Sequence, residues 1–104
     1  TYDNKGSDDV FVFHHMLKHY NIRVYGDVID VDFRHSAKRL AEELAIAGFA
    51  RNEPDGTVFI EAEGGEEVLE RFVEWCKAGS KYARVDRVEV SERELKGYND
   101  FRRA

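Results

Sequence analysis

The sequence has one cysteine, one proline and one tryptophan in 104 residues. The lone Cys76 cannot form a disulfide within the chain, nor join a second cysteine in a zinc site. That scarcity fits a reducing compartment. Long apolar runs are missing as well: nothing approaches the roughly 20 residues that span a bilayer. The N-terminus, Thr1 to Asp9, is polar and acidic where a secretory signal would be basic and then apolar, so no signal peptide is expected. A surplus of positive charge is also lacking. Lys and Arg number 16 against 21 Asp and Glu, a formal net charge of −5 with a pI near 5.3. A general nucleic-acid binder normally presents a basic face, so that role is not expected. The Walker phosphate loop and the Gly-rich dinucleotide fingerprint are absent, as is any Ser/His/Asp or Cys/His pattern in recognisable context.

What remains suits one small soluble domain: 42% of residues are apolar and 36% charged. Residues 1–8 read as a polar lead. Over 9–19, Phe13, Met16, Leu17 and Tyr20 have helical spacing, with Ser7 or Asp8 as cap, which favours a short helix; Val10 to Phe13 could equally open a strand. Tyr20 to Gly26 alternates and predicts a half-buried strand, followed by a turn over Asp27 to Asp32. Phe33 to Ala47 reads as a helix with Phe33, Ala37, Leu40, Ala41 and Leu44 on its apolar face, ended by Gly48. Phe49 to Asn52 and Thr57 to Glu63 form a hairpin around the Glu53-Pro54-Asp55-Gly56 turn. Glu66 to Ala78 is a second helix, with Val68, Leu69, Phe72, Val73 and Cys76 or Trp75 inward. Strands follow over Ala83 to Ser91 and Tyr98 to Arg103. Strand, helix, strand, strand, helix, strand is the order of an α+β ferredoxin-like sandwich (βαββαβ): an antiparallel sheet with two helices on one face.

Two polar clusters could carry chemistry. His14, His15 and His19 lie close together, and His15 and His19 would share a helix face. Two histidines four apart can chelate a metal, but no suitable acidic partner accompanies them, and a solvated polar face is the better reading. Cys76 reads as a core thiol. The second cluster is Gly26 to Arg34. A turn feeding a helix start exposes unpaired N–H groups at the positive end of the helix dipole. An arginine in the first turn adds a planar fork of donors that matches phosphate oxygens. The result is an anion cradle, or a plain loop with a surface arginine.

The same residues resemble the acylphosphatase family. Its first signature, G-x-V-Q-G-V-x-F-R, is met at Gly26, Val28, Val31, Phe33 and Arg34. Its second is met from Gly48 through Phe49, Ala50, Arg51, Asn52, Gly56 and Val58 to Gly64. The similarity runs over about residues 20–103. This leaves residues 1–18 as an N-terminal extension and 19–104 as the acylphosphatase-like domain. The resemblance implies hydrolysis of the carboxyl-phosphate anhydride of acyl phosphates, with no metal, cofactor or covalent intermediate. Arg34 would bind the phosphoryl oxygens together with the backbone of Val28, Ile29, Asp30, Val31, Asp32 and Phe33, and Asn52 would orient the attacking water. The expected protein is a cytoplasmic monomer acting on a small-molecule acyl phosphate, with no nucleic-acid or membrane partner.

The loop departs from the signature at two positions: Ile29 stands for Gln and Asp30 for Gly. Ile29 cannot hydrogen-bond the loop, and Asp30 tolerates a positive φ less well than glycine. With Asp27 and Asp32, three carboxylates surround the cradle, each repelling a phosphate at ~6 Å by roughly 0.7–3 kcal/mol. If they converge, they either silence the cradle or recruit a bridging divalent cation. The alternative to an enzyme is therefore a binding or interaction module that keeps the fold without the activity.

Overall fold

The computed structural model describes residues 16–104. β1 (Leu17–Asp27) is longer than the alternation of Tyr20 to Gly26 indicates. Leu17, Lys18 and His19 pair with Gly65, Gly64 and Glu63 of β3 (Val58–Gly65), so this stretch is strand and not the end of a helix. Tertiary pairing with β3 overrides the helical spacing of Met16, Leu17 and Tyr20. Residues 9–15, with His14 and His15, lie outside the described residues. His19 itself is fully buried, so it does not belong to a solvated face.

β1 and β3 lie at the centre of a five-stranded sheet of order β4-β1-β3-β2-β5. The outer strands are β2 (Ala47–Asn52), β4 (Arg84–Arg93) and β5 (Phe101–Arg103). All pairs are antiparallel except β2 with β5, which is parallel. The alternation of side chains builds the core on one face: Ile22 and Val24 of β1, Val58, Ile60 and Ala62 of β3, and Ala50 of β2. Against them pack Phe33, Ala37 and Ala41 of α1 (Phe33–Glu43). Leu69, Phe72, Val73 and Cys76 of α2 (Glu66–Ala78) complete that layer. Cys76 is completely buried, and burial drives its thiol pKa far above the usual range, so it is an unreactive core residue.

α1 stops sooner than its apolar pattern suggests. Ala45 takes φ 58°, and the N–H groups of Ala45 and Ile46 return to the carbonyls of Glu42 and Ala41. That pair of bonds is a Schellman cap with alanine where glycine is usual. Gly48 is therefore not the helix stop. It lies inside β2 at φ 142°, and a Cβ there would sit 1.8 Å from the carbonyl oxygen of Glu61. The hairpin between β2 and β3 is the one expected: Asp55 Oδ1 accepts from both the N–H and the hydroxyl of Thr57.

Residues 94–100 cross the helix-free face and carry the chain from one sheet edge to the other. A buried polar cluster holds this strap. The Glu63 carboxylate accepts from the N–H groups of Lys96, Gly97 and Tyr98, and lies 2.7 Å from His19 Nδ1. Glu61 accepts from the Tyr98 hydroxyl at 2.7 Å and from Lys96 Nζ at 3.0 Å. Burial alone would raise the pKa of both carboxyls. For Glu61 the donors Tyr98 and Lys96 outweigh it, and for Glu63 the main-chain N–H of Lys96 and the His19 ring do, so both titrate below the ordinary range. Desolvation, reinforced by the bond to Glu61, pushes Tyr98 up to about 12.

Candidate active site

β1 ends at a bulge where the register with β4 shifts between Tyr25 and Gly26. Gly26 has φ 139°, and a Cβ would stand 2.1 Å from the carbonyl oxygen of Arg84, so only glycine lets the strands approach there. The loop that follows sorts its residues by chemistry. Val28 is buried, and Ile29 and Val31 pack against the core. The side chains of Asp27, Asp30 and Asp32 are exposed. Asp30 and Asp32 take the left-handed conformation, at φ 60° and 63°. Aspartate is among the few non-glycine residues that visit this region routinely. The backbone turn that the signature glycine would make is thus present with Asp30.

The loop is held from two sides. The hydroxyl of Ser80, just beyond α2, donates to the Val31 carbonyl at 3.1 Å. Ile29 holds it from below by packing, where the signature glutamine would use a polar side chain. The three carboxylates do not gather: among the described residues no group of three or more acidic, histidine or cysteine side chains is placed to hold a metal ion. The convergent arrangement that would recruit a bridging cation is therefore not formed.

α1 begins directly after this loop. Asp32 occupies the N-cap position, yet its left-handed backbone makes no side-chain cap bond, and no acidic residue lies in the first turn. The first N–H groups of the helix and its positive dipole end are left for another acceptor. Arg34 is half-buried in that first turn, and its Nη1 donates to the main-chain oxygen of Ala104 at 2.6 Å. One contact fixes the guanidinium while its other N–H donors remain for a ligand.

Asn52 arrives from the end of β2, where it pairs with Val58 next to the hairpin turn. Its Oδ1 is buried and has no hydrogen-bond partner among the described residues. Leaving a buried amide oxygen unpaired costs about 1–3 kcal/mol, so such an atom is a sign of a functional constraint. Arg34 and Asn52 open into one small pocket. Its inner wall is Val28, Phe33, Arg34 and Asn52; Asp30, Asp32, His35 and Arg103 form its exposed edge. The pocket holds about 50 Å³. That exceeds the roughly 10–15 Å³ a single water needs and suits a small group such as a phosphoryl rather than a large ligand. Larger hollows exist, such as one of about 640 Å³ lined by Leu17, Lys18 and residues 92–95, but its Lys18 is already paired with Glu66. Its second cation, Arg93, shares the wall with the carboxylates of Glu92 and Glu94.

Of the residues singled out in the sequence, Val28, Asp30, Asp32, Phe33, Arg34 and Asn52 line one pocket, while the side chains of Ile29 and Val31 face the core. His35, Ser80 and Arg103 were not among them. Ser80 and Arg103 are far from the loop in sequence, and only the docking of α2 and β5 brings them near it.

Comparison with known proteins places the chain by sequence and fold. The family model described as acylphosphatase matches residues 20–103. An acylphosphatase of Ligilactobacillus salivarius is 43% identical over 86 residues, which cover 82% of this chain and 96% of that relative. The crystal structure of an acylphosphatase from Bacillus subtilis superposes with a TM-score of 0.81 at 40% identity, covering 86% of this chain and 99% of that one. A Coxiella burnetii acylphosphatase gives 0.82 at 32% identity, covering 85% and 93%. With the family model matched over residues 20–103, a relative 43% identical and the fold superposed, the chain belongs to the acylphosphatase family.

Proposed function

We propose that the chain hydrolyses the carboxyl-phosphate anhydride of acyl phosphates in the pocket between Arg34 and Asn52. The observation that carries this reading is the convergence of Arg34 and Asn52 on one phosphate-sized pocket, with the Oδ1 of Asn52 left without a protein hydrogen-bond partner among the described residues. The phosphoryl oxygens accept from the Arg34 guanidinium and from the N–H groups at the uncapped start of α1. A water molecule donates to Asn52 Oδ1 and is thereby aimed at phosphorus. Its oxygen forms the new P–O bond as the bond to the acyl oxygen breaks, and the electron pair leaves on a carboxylate. The water proton passes to the phosphate product or to solvent. A carboxylic acid has a pKa near 4, so its anion departs at neutral pH without a general acid. Positioning and charge stabilisation therefore supply most of the acceleration. The acidic net charge and the single buried cysteine support a cytoplasmic protein, and the small pocket supports a small-molecule substrate; a monomer is the expectation from the sequence.

The two residues are separable by experiment. Arg34→Ala should abolish binding of inorganic phosphate and lower kcat/KM for benzoyl phosphate by at least ~100-fold. Asn52→Ala should lower kcat comparably while inorganic phosphate still binds, because Asn52 serves the water and not the phosphate. Equal phosphate affinity in parent and Arg34→Ala would contradict this assignment.

A further inference from the structure

The pocket contains a second guanidinium that neither signature includes. β5 is only three residues long, and its parallel register sets Arg103 opposite Ala50, two residues before Asn52. Phe101 is buried in the core against Phe72. Side chains two apart share a sheet face, so Arg103 lies on the helix side, where α1 begins, and Arg102 on the opposite side. Arg103 accordingly lines the pocket with Arg34 and Asn52. The following residue, Ala104, takes the bond from Arg34 and itself donates to the Ala50 carbonyl, so β5, β2 and α1 are tied together at this point.

Among the described residues, neither guanidinium of the pocket is neutralised by an acidic side chain, a state that Arg39, Arg71 and Arg93 share but without a common pocket. Arg23, Arg51, Arg84, Arg87 and Arg102 each have a carboxylate within 4 Å. Among the described residues, neither Arg34 nor Arg103 does. Two guanidiniums sharing a small pocket repel each other, and a doubly charged anion between them relieves that repulsion. Arg34 is the cation of the inner wall, and Arg103 stands at the exposed edge beside Asp30 and Asp32, whose charge it offsets at the mouth of the pocket.

We infer that Arg103 is a second phosphoryl-binding residue, which with Arg34 selects the dianionic phosphate group over singly charged anions. This rests on the reading of the pocket as the phosphate site. The test is calorimetric titration of inorganic phosphate into the full chain and its Arg103→Ala, Arg103→Lys and Arg102→Ala variants, at fixed ionic strength and at a pH where phosphate is mostly dianionic. Arg102→Ala removes the same charge from the same strand on the opposite face. Arg103→Ala should weaken phosphate binding by about ten-fold, the scale of one solvent-accessible charge-assisted contact, and raise the KM for benzoyl phosphate in parallel. Arg103→Lys should recover part of the loss, and Arg102→Ala should change either value less than two-fold. Equal effects of Arg103→Ala and Arg102→Ala would overturn the inference, as would tight phosphate binding in Arg103→Ala. If the parent binds phosphate with this pattern yet leaves benzoyl phosphate intact, the hydrolytic reading fails and the role of Arg103 stands. If the parent binds no phosphate, both fail.

Discussion

Asp30 shows how one residue can depart from a signature without losing its shape. Its φ of 60° performs the turn that glycine makes more freely, and its carboxylate is exposed. What remains is a through-solvent repulsion of the phosphate, weakened by water and salt. Asp30→Gly should therefore lower the KM for an acyl phosphate only two- to five-fold at low salt, by about the energy of one screened charge at this distance. The difference should shrink toward zero at high salt, which steady-state rates at two ionic strengths will show. A gain from near-zero activity would instead mean that the aspartate had disabled the loop. Arg34 stood out in the sequence from its place at a helix start, whereas Asn52, on a strand running into a tight turn, stood out only through the resemblance to the second family signature. Arg103 was not legible. Its place depends on a parallel pairing between β2 and a strand about fifty residues away, and nothing in Phe101-Arg102-Arg103 states which partner it takes. The burial of His19 was hidden for a similar reason, since its partners Glu61 and Glu63 come from a strand more than forty residues away.

Among the elements, α1 and the hairpin show what local pattern can and cannot decide. The apolar spacing located α1 correctly but ran through its end, because a left-handed alanine is an unusual cap. Ala45→Gly should remove that strain and stabilise the fold by about 1 kcal/mol. In a domain of this size that raises Tm by roughly 4–8 °C, which calorimetry would detect. Gly48→Ala should do the reverse. With Glu61 O in its path and φ at 142°, the added methyl should cost ~3 kcal/mol or more and displace Asn52 along with β2. Denaturant unfolding checks the first effect, and loss of kcat in the folded fraction checks the second. The strap over residues 94–100 has no periodicity to betray it. Its position comes from the Glu63 carboxylate, which reads as a surface residue in the sequence until the fold buries it at 8% exposure.

For the whole molecule, the buried carboxylates predict how the fold responds to acid. Glu61 and Glu63 both bind protons less tightly in the fold than in the unfolded chain. The stability they add is complete above the ordinary carboxyl value of 4.5 and is lost as pH falls through their lower folded values. Glu63→Gln should be less stable than the parent at neutral pH. It should also show a flatter decline between about pH 5 and 3, since one of the linked protons is gone. Parallel curves for the two proteins would contradict this. Because the strap leads into β5, the same variant should perturb the pocket edge at Arg103, linking the helix-free face to the site. The element order and the sandwich architecture were legible because hydrophobic periodicity dictates which faces are buried; the strand order and the strap were not, because they depend on long-range pairing. The central claim is that this loop, with Ile29 and Asp30 in it, still forms a working phosphate cradle. Its most direct test is the rate of benzoyl phosphate hydrolysis by the parent protein with a chelator present, beside Asn52→Ala. The account predicts chelator-insensitive turnover well above background, reduced ~100-fold or more in the variant. A parent rate no higher than the uncatalysed one would contradict it.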